Sequence, residues 1–358
     1  MKKVIISVTN DLITDQRVNK VANTLCDHGF TVLLVGRNLG GDYQNDHRQY
    51  TCHRLKLIFN QGFLFYLEFN IRLFFFLLTN SSDVLLSNDL DTLLANFMAS
   101  VFKKNKLVYD SHELFTEIPE LLNRPVVKGV WIFLEDFLLR FVKHAYTVSD
   151  SIAKYYYNQY GIRMGVIKNV PVLKKIEYNM SQDDWKKIIY QGAINKDRGV
   201  ELMISAMKYV DAKLYIVGSG DLMGGMIQYV KEHSLENKVI FLGKLHFEKL
   251  FEITCTADLG LSFELDTCLA YKYSLPNKIF DYINAEIPIL LSDLPEFRNV
   301  IKQYNVGAIL NSRNPKIVAQ QINQLLLKPK KDWSDQLTLA KKNYCWQNEE
   351  NKLLSFFT

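Results

Sequence analysis

Short apolar runs without polar alternation recur along the chain, and they restrict the possible folds more than any other feature of the sequence. The runs are Val4–Val8, Val32–Val35, Val84–Leu86, Leu107–Tyr109, Tyr146–Val148, Ile188–Tyr190, Leu214–Val217, Val239–Leu242, Leu259–Phe263 and Ile287–Leu291. Strands of this kind are buried on both faces, as in parallel sheets, and segments of helix length lie between them. Strand alternating with helix predicts a doubly wound α/β fold.

The alternation pauses once, and this pause divides the chain into two domains. The 358 residues are too many for one ordinary core. We predict a Rossmann-like N-terminal domain at 1–171, a polar linker at 172–187, a Rossmann-like C-terminal domain at 188–340, and a C-terminal helix at 341–358 that packs back on the first domain. Ligands of such sheets bind beyond the carboxyl ends of the strands, so we expect the two domains to face each other across a cleft.

Composition narrows the class of protein. Hydrophobic residues make up 48% of the chain and charged residues 23%, as in globular proteins. The net charge is only +5 and the basic residues are scattered, which argues against a nucleic-acid partner and favours anionic small substrates or anionic lipid. Five cysteines without metal-like spacing indicate reduced thiols and hence a cytoplasmic protein.

The segment Gly62–Thr79 has the length and the apolar character of a membrane helix. Glu68, Asn70 and Arg72 lie at its middle, where charges are costly in hydrocarbon, so we do not expect it to span a membrane. Two interpretations stay open. The helix is buried in the domain, which we prefer, or it lies on a membrane surface and makes this a peripheral protein at the inner face of the membrane.

The segment Ser274–Asp281 is the strongest candidate for a binding site. Pro276 suits the start of a helix, whose free N–H groups at Asn277 and Lys278 attract an anion beside the Lys278 ammonium. Asp281 follows on the same helix face, where its carboxylate can accept hydrogen bonds from two ribose hydroxyls. An ordinary amphipathic helix explains the apolar residues here but not the run Ser-Leu-Pro-Asn-Lys. We therefore predict a site for the diphosphate and ribose of a nucleotide.

Other strand ends contribute to this nucleotide site. Gly192, in the turn after the first strand of the second half, lets the backbone approach a phosphate, and Arg198 adds a fork-shaped charge. A solvated surface role explains Arg198 equally well. Leu245 follows the third strand, where backbone groups can face the nucleotide base. The second strand end, Gly218–Gly220, lacks the full G-x-G-x-x-G fingerprint, so a nicotinamide dinucleotide is not predicted.

The C-terminal half resembles the nucleotide-binding domain of retaining glycosyltransferases of the GT-B fold, in glycosyltransferase family four, and the whole chain is similar in layout. The family usually carries two Glu separated by seven residues, followed by a Gly and a strand. Asp281 stands at the second acid, Tyr273 at the first and Glu286 at the glycine. Of the family's basic pair after the first strand, Arg198 stands at the Lys position and Ala193 at the Arg position.

The N-terminal half extends the resemblance. Its segment from Asp15 to Arg17 resembles the start of the family's first helix, which implies that Asp15 and Arg17 contact the acceptor. The segment Tyr109–Phe115 resembles the one whose His lies against the donor sugar, which implies a catalytic role for His112. A structural role is the alternative for a lone histidine.

Asp89 and Asp91 match the D-x-D pattern with which another transferase fold binds a metal. GT-B enzymes generally hold the diphosphate with helix termini and basic side chains, so no metal is predicted. We interpret Asp91 as the cap of a helix that begins at Thr92.

The resemblance implies transfer of a sugar from a UDP- or GDP-sugar donor to an acceptor hydroxyl, with retention at the anomeric carbon and without a metal or other cofactor. Lys278 and Arg198 would stabilise the leaving diphosphate, which is the catalytic role we predict for them. The family and the segment Gly62–Thr79 point to a glycan or lipid-linked acceptor in surface polysaccharide or lipid-linked glycan biosynthesis. The alternatives are a nucleotide-sugar epimerase of the same fold and a non-catalytic GT-B partner subunit, which Tyr273 and Ala193 favour.

Overall fold

The chain forms two structural units, each built on one parallel sheet. The computed structural model describes residues 1–10, 12, 15–39, 48–173 and 185–358. The first unit contains Met1–Lys168 and Glu349–Thr358, and the second contains Asn169–Asn348. The observed division thus lies three residues before the predicted end of the N-terminal domain at 171, and the second unit runs eight residues past 340. Residues 174–184 of the predicted linker lie outside the described residues.

The first unit has the sheet order β3-β2-β1-β4-β5-β6-β7 among the described residues, with every pair parallel. Its strands are β1 (Lys3–Ser7), β2 (Thr31–Arg37), β3 (Thr51–Leu55), β4 (Val84–Asn88), β5 (Lys106–Ser111), β6 (His144–Thr147) and β7 (Gly165–Val166). Its helices are α1 (Gln16–Asp27), α2 (Gly62–Thr79), α3 (Leu90–Lys103), α4 (Pro119–Leu122), α5 (Pro125–Leu139) and α6 (Asp150–Tyr160).

The second unit has the order β10-β9-β8-β11-β12-β13, again all parallel. Its strands are β8 (Lys187–Gln191), β9 (Lys213–Val217), β10 (Val239–Gly243), β11 (Leu259–Ser262), β12 (Ile289–Leu291) and β13 (Gly307–Ile309). Its helices are α7 (Val200–Ala206), α8 (Met223–Glu232), α9 (Phe247–Cys255), α10 (Leu269–Lys272), α11 (Asn277–Asn284), α12 (Pro295–Tyr304), α13 (Pro315–Leu327) and α14 (Lys331–Asn343). The helix α15 (Trp346–Leu354) runs from the second unit into the first.

The prediction of two doubly wound parallel sheets is confirmed, and each of the ten predicted runs forms a strand. The strands that the sequence did not reveal are β3, β7 and β13, and all three lie at sheet edges. An edge strand has one neighbour and needs no continuous apolar run, as the largely exposed β3 shows.

Both sheets reverse their strand order at one point, between β1 and β4 in the first unit and between β8 and β11 in the second. At such a switch point the connections leave to opposite sides of the sheet and open a crevice at the carboxyl ends of the strands. Polar side chains at the ends of these four strands are therefore the ones placed to meet a ligand.

The expectation that Gly62–Thr79 is a buried helix is wrong. The segment forms α2 with the predicted bounds, and its mean hydropathy of 1.5 is that of a membrane helix, yet only 22% of it is buried. Phe65, Phe69, Leu73 and Leu77 recur at every fourth position and form its buried face, because α2 packs on the domain with one side only. Other apolar side chains of α2 are exposed, namely Phe63, Leu64, Leu67, Ile71 and Phe75.

The last residues of the chain complete the core of the first unit. Phe357 is fully buried and meets the edge of the Phe30 ring at 6.4 Å between centroids. Phe356 packs on Tyr146 at 5.1 Å and lies so close to Gly165 that a Cβ there would come within 2.5 Å of its ring. The first unit therefore depends on residues at both ends of the chain.

Phe357→Ala is expected to destabilise the first unit by about 3–5 kcal/mol, since it removes a fully buried ring and leaves a cavity. Urea unfolding followed by circular dichroism measures this loss. Phe102→Ala is the matched control, because that ring is 71% exposed and its loss should cost little. Equal costs for the two substitutions would contradict the docking of the chain end into the core.

Candidate functional site

A buried carboxylate, Glu264, organises the strand ends of the second unit. It lies two residues after the end of β11 and is fully buried. Its Oε1 lies 2.8 Å from Lys278 Nζ, and its Oε2 accepts a hydrogen bond of 2.6 Å from Ser262 Oγ. Burial by itself raises the pKa of this carboxyl, but the charge and hydrogen bond of Lys278, the Ser262 hydroxyl and Arg198 outweigh it and bring the pKa below its usual value. Glu264 is therefore an ionised group inside the domain.

Lys278 enters this site from the first turn of α11, which begins at Asn277 after Pro276 at the N-cap. The lysine is 7% exposed, and its Nζ also lies 4.3 Å from the centre of the Tyr190 ring. Gly192 has φ +139°, and a Cβ at that position would stand 3.2 Å from Lys278 Nζ. The glycine thus satisfies a backbone conformation that side chains disfavour and leaves room for the ammonium group.

Two arginines extend the cluster. Arg198, with 26% of its side chain exposed, has Nη1 3.9 Å from Glu264 Oε1 and its guanidinium 4.4 Å from the centre of the Tyr271 ring. Its Nε is buried without a hydrogen-bond partner among the described residues. Arg313 donates to the backbone oxygens of Phe263 and Glu264, at 3.2 Å and 2.7 Å, and so holds the loop after β11. Arg313 is therefore engaged with backbone oxygens, whereas Arg198 keeps a buried Nε without a hydrogen-bond partner among the described residues.

Asp281 lies one turn along α11 from Lys278 and is half-buried. Its Oδ2 accepts a 2.7 Å hydrogen bond from Gln191 Nε2 at the end of β8, and Gln191 Oε1 in turn accepts one from Thr254. The Asp281 carboxylate is therefore fixed at the switch point of the second sheet. Its predicted contact with a ribose stays a prediction.

The structure brings Gly192, Arg198 and Lys278 together around Glu264, and the exposed Asn277 lies next to them in sequence. Pro276 stands at the N-cap, one position before the helix, with φ −71° and ψ 145°. Leu245 is separate from this group, since it follows β10 at the sheet edge, two strands from β8. Tyr273 is half-buried at the end of α10.

Sequence reasoning missed Glu264 and Arg313. In the sequence, Glu264 could have been found from its position just after a strand that is buried throughout, with Lys278 14 residues later. Three cations, Lys278, Arg198 and Arg313, surround this one carboxylate, so the cluster keeps a net positive charge. Fixed positive charge beside a glycine turn and a helix N-terminus is suited to an anionic phosphate group.

Lys278→Met is expected to destabilise the second unit by about 3–5 kcal/mol, because it leaves Glu264 ionised and buried without its principal partner. The double variant Lys278→Met/Glu264→Gln should recover most of this loss, which urea unfolding in a double-mutant cycle measures. Lys249→Met is the control, since its pair with Glu252 lies on the surface and contributes little. A double variant as unstable as the single one would rule out the pairing.

A second polar cluster lies at the strand ends of the first unit, around His112. Its Nε2 lies 3.2 Å from Asp110 Oδ2 and its Nδ1 3.3 Å from Asp89 Oδ2. Burial opposes the imidazolium, but the two carboxylates outweigh it and raise the pKa of His112 to about 10. The two carboxylates therefore favour the imidazolium form of His112, which donates hydrogen bonds.

Arg17 and Asp15 both make structural contacts, and the contact with an acceptor stays a prediction. The Arg17 side chain is buried and binds Asp110 through two hydrogen bonds of 2.9 Å and 3.0 Å, and it also donates to Ile167 O. Burial raises the pKa of Asp110, but Arg17 and His112 reverse this and lower it to about 2. Asp15 caps α1 by accepting from Val18 N at 3.0 Å.

Asp91 is not a helix cap, so the interpretation that it caps a helix beginning at Thr92 is wrong. The helix α3 begins at Leu90 and its N-cap is Asp89, with φ 57°. Asp91 lies in the first turn, where its Oδ2 accepts a 2.6 Å hydrogen bond from Thr9, and burial followed by the charge of Asp89 raises its pKa to about 7. Within the described ranges no group of three His, Cys, Asp or Glu side chains is arranged to hold a metal ion.

The His112 cluster predicts a pH-dependent stability. A raised pKa means that the stabilisation is complete below about pH 6.5, the ordinary value for histidine, and is lost as the pH rises through about 10. The difference in unfolding free energy between the wild type and His112→Gln should therefore be largest near the lower value and shrink towards the higher one. Urea titrations across this range measure the difference. A constant difference would contradict the ion-pair geometry.

Family models of known proteins match both halves of the chain. The family model of Glycosyltransferase Family 4 matches residues 16–171, and that of Glycosyl transferases group 1 matches residues 174–338. The chain belongs to glycosyltransferase family 4, and its two doubly wound sheets are those of the GT-B fold.

Individual relatives are distant. Chitobiosyldiphosphodolichol beta-mannosyltransferase of Candida albicans is 25% identical over 241 residues, which are 59% of this chain and 52% of that protein, so the chain spans about half the length of this curated relative. Among solved structures, sucrose-phosphate synthase from Thermosynechococcus elongatus superposes with a TM-score of 0.83 at 14% identity, over 100% of this chain and 98% of the other. Anabaena Alr3699/HepE in complex with UDP-glucose gives 0.77 at 15% identity, over 100% and 99%. At these identities the solved structures show the fold alone.

Proposed function

We propose that this chain is a retaining glycosyltransferase that moves a sugar from a UDP- or GDP-sugar to an acceptor hydroxyl. The observation that carries the proposal is the cationic cluster of Lys278 and Arg198 around Glu264, beside the Gly192 turn and the start of α11. It lies at the switch point of a doubly wound sheet, where such folds bind nucleotides. The family and the UDP-glucose complex of Alr3699/HepE are consistent with this choice of donor.

The chemistry needs positive charge where negative charge develops on the leaving diphosphate. Arg198 is the cation placed to contact it, because its side chain is partly exposed and its Nε is buried without a hydrogen-bond partner among the described residues. Lys278 contributes from a fixed position, since Glu264 holds its Nζ at 2.8 Å and offsets part of its charge. No metal enters this proposal.

The proposed acceptor is a class of compounds and not a single one. We assign the acceptor to the class of glycans or lipid-linked sugars, in surface polysaccharide or lipid-linked glycan biosynthesis, on the basis of the family and of the partly exposed apolar helix α2. We infer retention of configuration at the anomeric carbon from the family to which the chain belongs. His112 enters as an imidazolium that donates hydrogen bonds in the first unit.

Arg198→Met tests the donor site without exposing a buried unpaired charge. It should weaken binding of UDP- or GDP-sugars at least tenfold, which is about 1.4 kcal/mol, because one charged hydrogen-bond donor to the diphosphate is lost. Isothermal titration calorimetry measures this affinity. Arg298→Met is the matched control, since this arginine is 54% exposed on α12 and pairs with Asp293.

The outcomes separate the proposal from its rivals. Failure of the wild-type chain to bind any nucleotide sugar would reject a donor site and favour a non-catalytic partner subunit. Conversion of the donor without an acceptor would instead identify an epimerase. The anomeric proton of the product, read by NMR, decides whether the configuration is retained.

A further inference from the structure

Large exposed apolar side chains concentrate on three neighbouring helices of the first unit. They are Phe63 and Phe75 on α2, Val101 and Phe102 on α3, and Phe133 and Phe137 on α5, with exposures between 44% and 71%. We call the exposed side of these three helices the apolar face. Soluble monomers rarely leave apolar residues in one continuous patch, so this face calls for an occupant.

Aromatic contacts join the three helices into one surface. Phe74 of α2 meets Phe102 of α3 at 5.9 Å between ring centres, and Tyr66 of α2 meets Trp131 of α5 at 5.1 Å. The exposed residues therefore stand on helices that pack against one another through aromatic rings, and not on separate loops.

Charge on and around the apolar face is asymmetric. Of the acidic residues on the three helices, Asp91 and Glu135 are buried, Glu68 pairs with Arg72, and Asp136 pairs with Arg140. In contrast, Lys104 follows Phe102 closely and Lys143 follows Phe141, and both lysines are exposed. Basic side chains beside exposed aromatic residues are attracted to anionic lipid head groups.

A cavity of about 580 Å³ lies beside this face, between β3 and α2. Its lining includes the basic residues Arg54, Lys56 and Arg72, of which Arg72 pairs with Glu68, and the apolar residues Ile71 and Phe75. Basic and apolar side chains around one cavity suit an amphiphile with a phosphate head group and a hydrocarbon tail. Phe75 belongs both to this lining and to the apolar face, and it is 60% exposed.

We propose that the apolar face docks the chain on an anionic lipid bilayer and that the cavity between β3 and α2 receives a lipid phosphate head group. The helix α2 lies along the bilayer surface, because its other side is fastened to the domain. Asn70 Nδ2 donates to Asp91 O at 2.8 Å, and Glu68 accepts from the backbone N–H groups of Ile58 and Phe59. Pulling α2 into a spanning position would break these bonds and expose its buried face.

Vesicle flotation tests the docking with the full chain. Wild-type protein should float with vesicles of phosphatidylcholine and phosphatidylglycerol, and only weakly with phosphatidylcholine alone. Phe102→Glu and Phe133→Glu should each reduce the bound fraction at least tenfold, because each places a charge in the apolar phase. Leu327→Glu is the matched control, since Leu327 is 83% exposed on α13 of the second unit, and it should bind like the wild type. Absence of wild-type binding to the anionic vesicles, or equal loss in the control, would overturn the proposal.

Two further measurements address the cavity and a competing occupant. Lys56→Gln should weaken binding to the anionic vesicles severalfold and leave thermal stability unchanged, because Lys56 is the exposed basic residue on this stretch of β3 and its flank. Saturable binding of inorganic phosphate without vesicles, lost in this variant and competing with vesicle binding, would assign the cavity to a free anion and reject the lipid.

Light scattering after gel filtration tests whether a second copy of the chain covers the apolar face instead. A wild-type dimer that Phe102→Glu converts to monomer, with no vesicle binding, would assign the face to that second copy.

Discussion

Burial of both faces of the central strands is the constraint on which the rest of this structure depends. Every residue of β4, β11 and β12 is buried. Strands of this kind are apolar along most of their length and carry their polar side chains near the carboxyl ends, so charged groups collect where the strands end and their order reverses. Both polar clusters, at His112 and at Glu264, lie at such ends.

Each cluster is built around a buried ion pair. Arg17 and Asp110 form it in the first unit, and Lys278 and Glu264 in the second. Removing two charges from water is costly, and it is offset only when the pair is close and its remaining hydrogen-bonding groups are satisfied. At each site one cation and one carboxylate therefore stabilise the fold by pairing with each other. His112 in the first unit and Arg198 in the second stay partly exposed, so each can meet a ligand.

The fold was predictable because an apolar run without polar alternation indicates a strand buried on both faces, whatever its neighbours are. The edge strands β3, β7 and β13 were not predicted, since an edge strand can be short or polar. The site was predictable in part. Proline before a helix start identified the position of Lys278, but a glutamate after a strand resembles any surface residue, so Glu264 was not found.

Three properties follow from residues close together in the chain: the alternation of strands and helices, the start of α11 with Lys278 in its first turn, and the apolar character of α2. Which charges are neutralised and which apolar side stays exposed depends on long-range packing. Glu264 meets Lys278 across 14 residues and Arg17 meets Asp110 across 93, and α2 buries one face only because α3 covers it. Ion pairing and burial are properties of neighbours in space, and a local pattern does not contain them.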